Sequence, residues 1–347
     1  PAPSGRTVAV TGASGLIGSA LSQTLLGRGD QVVHLVRRAP RASGHPGLPG
    51  GVAERAWQPG ADLPAEVLDG VDAVVHLAGA GIGDKRWTAS RKKLLVDSRV
   101  AGTGTIARAV AARPEGERPR LLSASAVGYY GDRDDDVLTE SSDQGEGFLA
   151  GLCHDWEAGT WAAEQAGAPV AHLRTGIVLT RRSGALAKLM PLARLGLAGP
   201  LGGGDQFWSW ITLHDHVRAM VFLLDHPTVT GPVNLTGPHP DTQADVVRAL
   251  GQQLGRPAVV PVPSFAMHLV LGELAGEILY SQRALPTVLT GAGFAWHHPD
   301  LTSAMAWVGS EGKEFDPPTD PVPPAGSAPP DDSVPPGEPA PREPVAP

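Results

Sequence analysis

The stretch Val8-Ala-Val-Thr-Gly-Ala-Ser-Gly-Leu-Ile-Gly18 reads as a buried β-strand that turns through three glycines straight into a helix. Gly12 would make the tight turn, Gly15 would let the backbone approach a pyrophosphate, and Gly18 would let the helix pack closely on the strand. An anion would then sit on backbone N–H groups from Ser14, Gly15, Leu16, Ile17 and Gly18, at the helix N-terminus. The spacing is TGxxGxxG rather than GxGxxG, and in a chain with 44 glycines a glycine pattern alone is weak. Its context is stronger. A strand precedes it, an amphipathic helix follows from Ser19, and Gln31-Val-Val-His-Leu-Val36 continues as a second strand. The alternative is a purely structural glycine turn.

Working outward, strand-like runs recur at Val32 to Val36, Ala73 to Leu77, Arg120 to Ser125, Val170 to Arg174 and Gly231 to Leu235. Helical stretches alternate with them, among them Trp87 to Ala111, Leu152 to Gln165 and His214 to Leu224. This alternation predicts an α/β fold, a Rossmann-type doubly wound parallel sheet with helices on both faces. The expected division is a dinucleotide-binding domain over 1–180, its sheet completed by parts of 205–240, and a smaller C-terminal α/β cap lobe over 181–310. In such folds late insertions build a cap over the carboxyl ends of the strands, where ligands bind. Residues 311–347 form a Pro-rich tail with almost no apolar bulk, which composition predicts to be disordered.

Composition removes several function classes. A net charge of −8 offers no basic footprint for nucleic acid, and no apolar run approaches the roughly 18 residues of a membrane span. No charged-then-apolar leader is visible, so a cytoplasmic location is the expectation. The single cysteine, Cys153, excludes an internal disulfide and a cysteine-based zinc cluster.

The choice of dinucleotide turns on Arg37-Arg38, directly after the second strand. An NAD site usually places Asp or Glu there for the ribose 2′-OH, whereas a 2′-phosphate wants a cation able to pair bidentately. The pair points to NADP over NAD, a solvated loop charge being the plainer reading. Leu77-Ala78-Gly79 ends the third predicted strand, and its small residues would let the backbone run beside the adenosine ribose and pyrophosphate.

Several motifs then align with one superfamily. Thr11-Gly-Ala-Ser-Gly-Leu-Ile-Gly18, Asp72 to Gly79, Ser123-Ala-Ser-Ala-Val-Gly-Tyr-Tyr-Gly131, Leu173 to Val178 and Trp210-Ile-Thr-Leu-His-Asp215 resemble the extended short-chain dehydrogenase/reductases. Asp84-Lys-Arg-Trp87, Asp97-Ser-Arg99, Leu152 to Glu157, Gly202 to Ile211 and Ser281 to Pro286 with Ala292-Gly-Phe294 resemble, within it, the "epimerase family" proteins that carry a C-terminal segment of unknown function. The resemblance covers roughly residues 6 to 308. It implies an NADP-dependent epimerase or oxidoreductase acting on a small polar or nucleotide-linked substrate, and by analogy a homodimer. It also implies a cofactor contact for Arg99, where many members keep an asparagine, and for the backbone at Ile177. For Arg99 a surface ion pair with Asp97 is the alternative.

The superfamily's proton donor is a Tyr-x-x-x-Lys pair assisted by a serine. Ser125 matches the serine. The pair is missing: counting back from Leu173-Arg174, with Glu157 as an anchor, its positions fall on Leu149 and Cys153. Replacement acids or bases are sought in Tyr129 and Tyr130, after Ser125, and in Lys85 of the Asp84–Trp87 motif, which the resemblance places in a cofactor-facing loop. Cys153 and His154 are further candidates. Arg174, Trp208 and Trp210 are candidate substrate contacts; the two tryptophans, at period-two spacing, read equally as cap core. His214-Asp-His216 looks like a metal fragment but matches the superfamily's usual helix start, so no metal is expected. The acidic run Asp132 to Asp136 reads as a solvated loop. The missing pair keeps a second class open, a non-catalytic NADP-binding redox sensor or assembly factor.

Overall fold

Residues 5–45 and 49–310 are described by a computed structural model of the chain. A seven-stranded sheet lies at the centre, in the order Gly231–Leu235, Val170–Thr175, Arg120–Ala126, Ala73–His76, Thr7–Thr11, Gln31–Val36, Val52–Ala56. Every neighbouring pair is parallel. The chain winds outward from Thr7–Thr11 through two strands, crosses back to Ala73–His76 and winds the other way. That is the Rossmann-type doubly wound topology expected from the sequence. The reversal opens a crevice beyond the carboxyl ends of Thr7–Thr11 and Ala73–His76, where such folds bind ligands.

Alternation along the strands explains the two covered faces. Val8 and Val10 point into one apolar cluster with Leu21 and Leu25 of helix Leu16–Gly27 and Val217 to Leu224 of helix Leu213–Asp225. Ala9 points the other way, to Ile106 and Val110 of helix Ala89–Ala111 and Ala163 of helix Trp161–Gln165. Two elements differ from the sequence reading. Val52-Ala-Glu-Arg-Ala56 forms an edge strand that its mixed polarity conceals. The expected single helix over Leu152 to Gln165 is two, Phe148–Ala158 and Trp161–Gln165, parted at Gly159 and Thr160. There the backbone passes so near Thr103 that a Cβ on Gly159 would lie 3.2 Å from its side chain.

A third cluster forms from helices Gly184–Arg194, Gln243–Leu254 and Leu301–Ser310, with Trp208 and Trp210 buried among them. Two buried carboxylates fasten the chain from Ser264 onward, one to the sheet strand Gly231–Leu235 and the other to helix Leu213–Asp225. Glu140 accepts the backbone N–H groups of Asn234 and Val288, each at 3.1 Å, and the Thr287 hydroxyl. Asp215 accepts those of His297 and His298 at 3.1 and 2.8 Å, beside Arg218 at 3.1 Å. The acidic run is therefore not simply solvated: Asp132 accepts the Ser281 N–H at 2.9 Å, joining the same terminal segment. Among the described residues, no helix is long and apolar enough to cross a membrane. The Pro-rich stretch 311–347 lies outside the described residues.

Candidate functional site

The glycine turn is built around close approaches that a side chain would forbid. Gly12 has φ +68°, and a Cβ there would lie 2.9 Å from the Leu77 carbonyl carbon; on Gly18 it would lie 2.4 Å from the Gly12 oxygen, and on Gly15 3.2 Å from that same oxygen. The turn closes by Gly15 N–H donating to Gly12 O at 2.9 Å. Thr11 locks it to the fourth strand. Its hydroxyl accepts the N–H groups of Leu77 and Ala78 at 3.0 and 3.1 Å and, with its own proton, meets His76 Nδ1 at 2.9 Å. No side chain caps helix Leu16–Gly27, and no acidic residue lies in its first turn. Ser14, Leu16 and Ile17 stand on this helix start, so the arrangement fits a pyrophosphate on the exposed helix N-terminus.

Arg37 and Arg38 follow strand Gln31–Val36 and part in role. Arg38 grips Glu54 of the edge strand with both terminal nitrogens, at 2.8 and 2.5 Å, while Arg41 holds the same carboxylate at 2.7 Å. The Arg38 and Arg41 guanidiniums hold the Glu54 carboxyl far below the usual range. Arg37 is exposed, and among the described residues its guanidinium has no partner. Two arginines thus share one carboxylate, and Arg37 stands beside them in the chain, an excess of positive charge that suits a dianion.

Arg99 is 5% exposed, and its guanidinium donates to the Ala80 carbonyl at 3.0 Å and to the Leu95 carbonyl at 3.2 Å. It lies 4.8 Å over the Trp156 ring and against Gly79, whose added Cβ would be 3.4 Å from Arg99 Cζ. The surface pair with Asp97 does not form, because Asp97 binds Lys93 at 2.6 Å. Among the described residues no carboxylate pairs with Arg99, and its Nε is buried without a partner. Burial pulls the guanidinium's pKa down. A buried cation left unmatched beside the loop 78–80 is a ready anion contact.

Ser125 ends strand Arg120–Ala126 and donates to Glu157 Oε1 at 2.6 Å. Arg174 binds both oxygens of that carboxylate at 2.9 Å, so Glu157 of helix Phe148–Ala158 ties two strands together. Sequence reasoning used Glu157 only as an anchor and missed this role. The two tyrosines diverge. Tyr130 is fully buried, donates to Asn234 at 2.7 Å and accepts from Arg174 at 3.1 Å, and burial pushes its hydroxyl up to about 12. Those contacts make it a core strut and remove it as a proton donor. Tyr129 is half-buried, with the Arg174 guanidinium 3.5 Å above its ring and no hydroxyl partner among the described residues.

The other candidates disperse. Lys85 is exposed, with no contact to Ser125 or either tyrosine among the described residues. Ile177 begins a short strand paired in parallel with Trp210–Thr212, its N–H given to Ser209 at 2.7 Å. Trp208 and Trp210 are core rather than wall: their indole N–H groups are taken by the Ile278 carbonyl at 3.2 Å and Asp241 at 2.9 Å. Arg174 is likewise 3% exposed and fully engaged within the protein. Cys153 is buried and burial pushes its thiol up to about 12; His154 is exposed beside Asp155. His214, Asp215 and His298 come within 4.8 Å of one another, but the Asp215 oxygens are already occupied by backbone N–H groups and Arg218.

A doubly wound sheet with an open glycine turn at its switch point and a cationic rim defines a dinucleotide-binding protein of the Rossmann class. The chain belongs to the NAD dependent epimerase/dehydratase family, whose profile matches residues 8–236, and a Domain of unknown function (DUF1731) matches residues 262–308. It is 43% identical over 303 residues to the epimerase family protein Mb2239 of Mycobacterium bovis, covering 87% of this chain and 97% of that protein. It superposes on the crystal structure of human epimerase family protein SDR39U1 with NADPH at a TM-score of 0.78 and 30% identity, covering 88% of this chain and 99% of that one. The nucleoside-diphosphate sugar epimerase from Corynebacterium glutamicum gives a TM-score of 0.71 at 34% identity, over 89% of this chain and 59% of that one.

Proposed function

We propose that the protein binds NADP(H) and serves as an oxidoreductase or epimerase on a small polar or nucleotide-linked substrate held between the sheet's carboxyl edge and the C-terminal segment. The observation that carries this is the glycine turn at the switch point, where Gly12 and Gly18 permit backbone approaches that any Cβ would block and the helix N-terminus is left uncapped. Support for the 2′-phosphate comes from Arg37 with the Arg38–Glu54–Arg41 cluster, and from the NADPH held by the human relative. The likeness to a nucleoside-diphosphate sugar epimerase supports the nucleotide-linked substrate class.

The chain's own residues would do the following. Backbone groups from Ser14 to Gly18 hold the pyrophosphate, with Arg99 offering a buried positive charge beside Gly79. Leu77 and Ala78, pinned by Thr11, keep the adenosine ribose side in register. Ser125, Glu157 and Arg174 fix the floor below the reacting centre, and Tyr129 presents a phenol to it. The nicotinamide, when bound, supplies or accepts the hydride.

A competing reading, a non-catalytic NADP(H) sensor, is favoured by Leu149 and Cys153 standing where the superfamily keeps tyrosine and lysine. Two measurements decide. NADPH should bind at least about tenfold more tightly than NADH, and Arg37→Ala combined with Arg38→Ala should erase most of that ratio, a change of about 1.4 kcal/mol. Equal affinities in the unmodified protein would sink the NADP assignment. Turnover on a panel of carbonyl compounds separates enzyme from sensor.

A further inference from the structure

Helix Phe148–Ala158 carries Leu149 and Cys153 at the two positions where a proton donor is expected, and neither can exchange a proton at neutral pH. The surroundings of Leu149 are specific. On one side it packs on the loop after Ser125: a Cβ on Gly128 would lie 3.3 Å from the Leu149 Cβ. On the other, helix Leu274–Leu279 of the terminal segment covers it, Leu274 and Ile278 sharing an apolar cluster with Leu149, Leu152 and, from the loop after the fourth strand, Ala80 and Ile82. Glu277 lies on that covering helix. Its Oε1 accepts the Leu149 N–H at 3.4 Å, and a Cβ on Gly147 would lie 4.0 Å from the same oxygen. The side chain is half-buried, and no other hydrogen-bond partner is found for it among the described residues.

We propose that Glu277, delivered by the C-terminal segment to the backbone of Leu149, is the general acid and base of this crevice. The inference rests on the NADP(H)-dependent reading above. Reduction then runs as follows: as hydride reaches the carbonyl carbon, protonated Glu277 gives its proton to the carbonyl oxygen. The products are an alcohol, the oxidised nicotinamide and the Glu277 carboxylate, which regains a proton from solvent. The reverse direction uses the carboxylate as base.

The charged and titratable groups around Glu277 are few. Lys92 of helix Ala89–Ala111 is bound to Glu273 and sits 5.2 Å over the Phe148 ring; Cys153 lies below and Tyr280 beside. Burial pushes the Glu277 carboxyl up, the Leu149 N–H and Lys92 pull it back, and the balance is about 7. An acid poised near the working pH is efficient in both directions. This placement also gives the terminal segment a chemical reason to be fastened so firmly by Glu140 and Asp215.

The test needs no known substrate. Oxidised nicotinamide is cationic, so a carboxylate beside it favours NADP+ over NADPH. In the full chain, the Kd ratio of NADPH to NADP+, followed by fluorescence and calorimetry between pH 5.5 and 8.5, should rise on the order of tenfold with a midpoint near 7. It should be flat in Glu277→Gln and retained in Glu277→Asp. Both variants are checked for an unchanged melting temperature. A ratio that is flat in the unmodified protein, or that keeps its pH dependence in Glu277→Gln, overturns the proposal while leaving cofactor binding intact; failure of either nucleotide to bind overturns the cofactor reading itself. With phenanthrenequinone as a carbonyl probe, NADPH oxidation should fall on the order of a hundredfold in Glu277→Gln and recover in part in Glu277→Asp. Equal oxidation by the unmodified protein and Glu277→Gln, zero included, removes the acid/base role.

Discussion

Tyr129 and Tyr130 are neighbours in the chain and opposites in the fold. Sequence marks both as candidates because both follow Ser125; the turn Val127–Tyr130 sends one phenol into the core and leaves the other half-exposed. Tyr130→Phe orphans Asn234 and should lower stability by about 1–2 kcal/mol, seen as a lower melting temperature with NADPH affinity unchanged. Tyr129→Phe should leave the melting temperature where it is. A second residue-scale expectation concerns pH. Burial pulls His76 and His216 down to about 4, below the roughly 6.5 of an unfolded histidine. Between those values the unfolded chain binds more protons, so stability is complete above about pH 6.5 and is lost on acidification toward 4, by about 1.4 kcal/mol per pH unit per histidine. His76→Asn keeps an acceptor for Thr11 and should flatten the fall in melting temperature between pH 7 and 5. An unchanged slope would refute the assignment for His76.

At the scale of elements, the strand–turn–helix over Thr7 to Gly27 was legible because Gly12 and Gly18 sit where geometry forbids a side chain. The forbidding atoms lie close at hand: the turn's own carbonyl, and the end of the paired strand at Leu77. Gly18→Ala drives a methyl into the Gly12 carbonyl and should cost about 2–4 kcal/mol and abolish NADPH binding. Gly27, at the end of the same helix, has nothing within 4 Å of an added Cβ; Gly27→Ala should raise stability by about 0.5–1 kcal/mol with binding intact. Thermal melts and nucleotide titrations on the two variants separate these outcomes. Helix Phe148–Ala158 was legible as a helix but not as a ligand-facing surface, since Leu149 and Cys153 carry no polar signal and Glu277 lies far along the chain.

Across the whole molecule, the terminal segment is held by carboxylates rather than by a continuous sheet. Asp215 is opposed by its burial, yet the adjacent His214 and His298 side chains and the backbone N–H groups of His297 and His298 hold its carboxyl far below the usual range. Removing it strands Arg218, 2% exposed, without a counter-charge. Asp215→Ala should therefore cost about 3–5 kcal/mol and expose the chain beyond His297 to limited proteolysis, with a stable nicked core as the readout. Resistance to proteolysis equal to that of the unmodified protein would show that apolar packing alone, through Phe294 and the Leu301–Ser310 helix, retains the segment.

The amino-acid sequence by itself determined the class of fold, the phosphate-binding turn and the sign of charge after the second strand. These depend on residues adjacent in the chain, through periodicity, glycine geometry and local charge. It showed as well that the usual acid and base are missing. Only the tertiary structure decided which tyrosine is buried, that Trp208 and Trp210 are core, that Arg38 is committed to Glu54, and that Arg99 is a buried cation with no carboxylate among the described residues. Each of those is a contact between segments far apart in the chain, set by how helices and strands pack, and no local pattern encodes it.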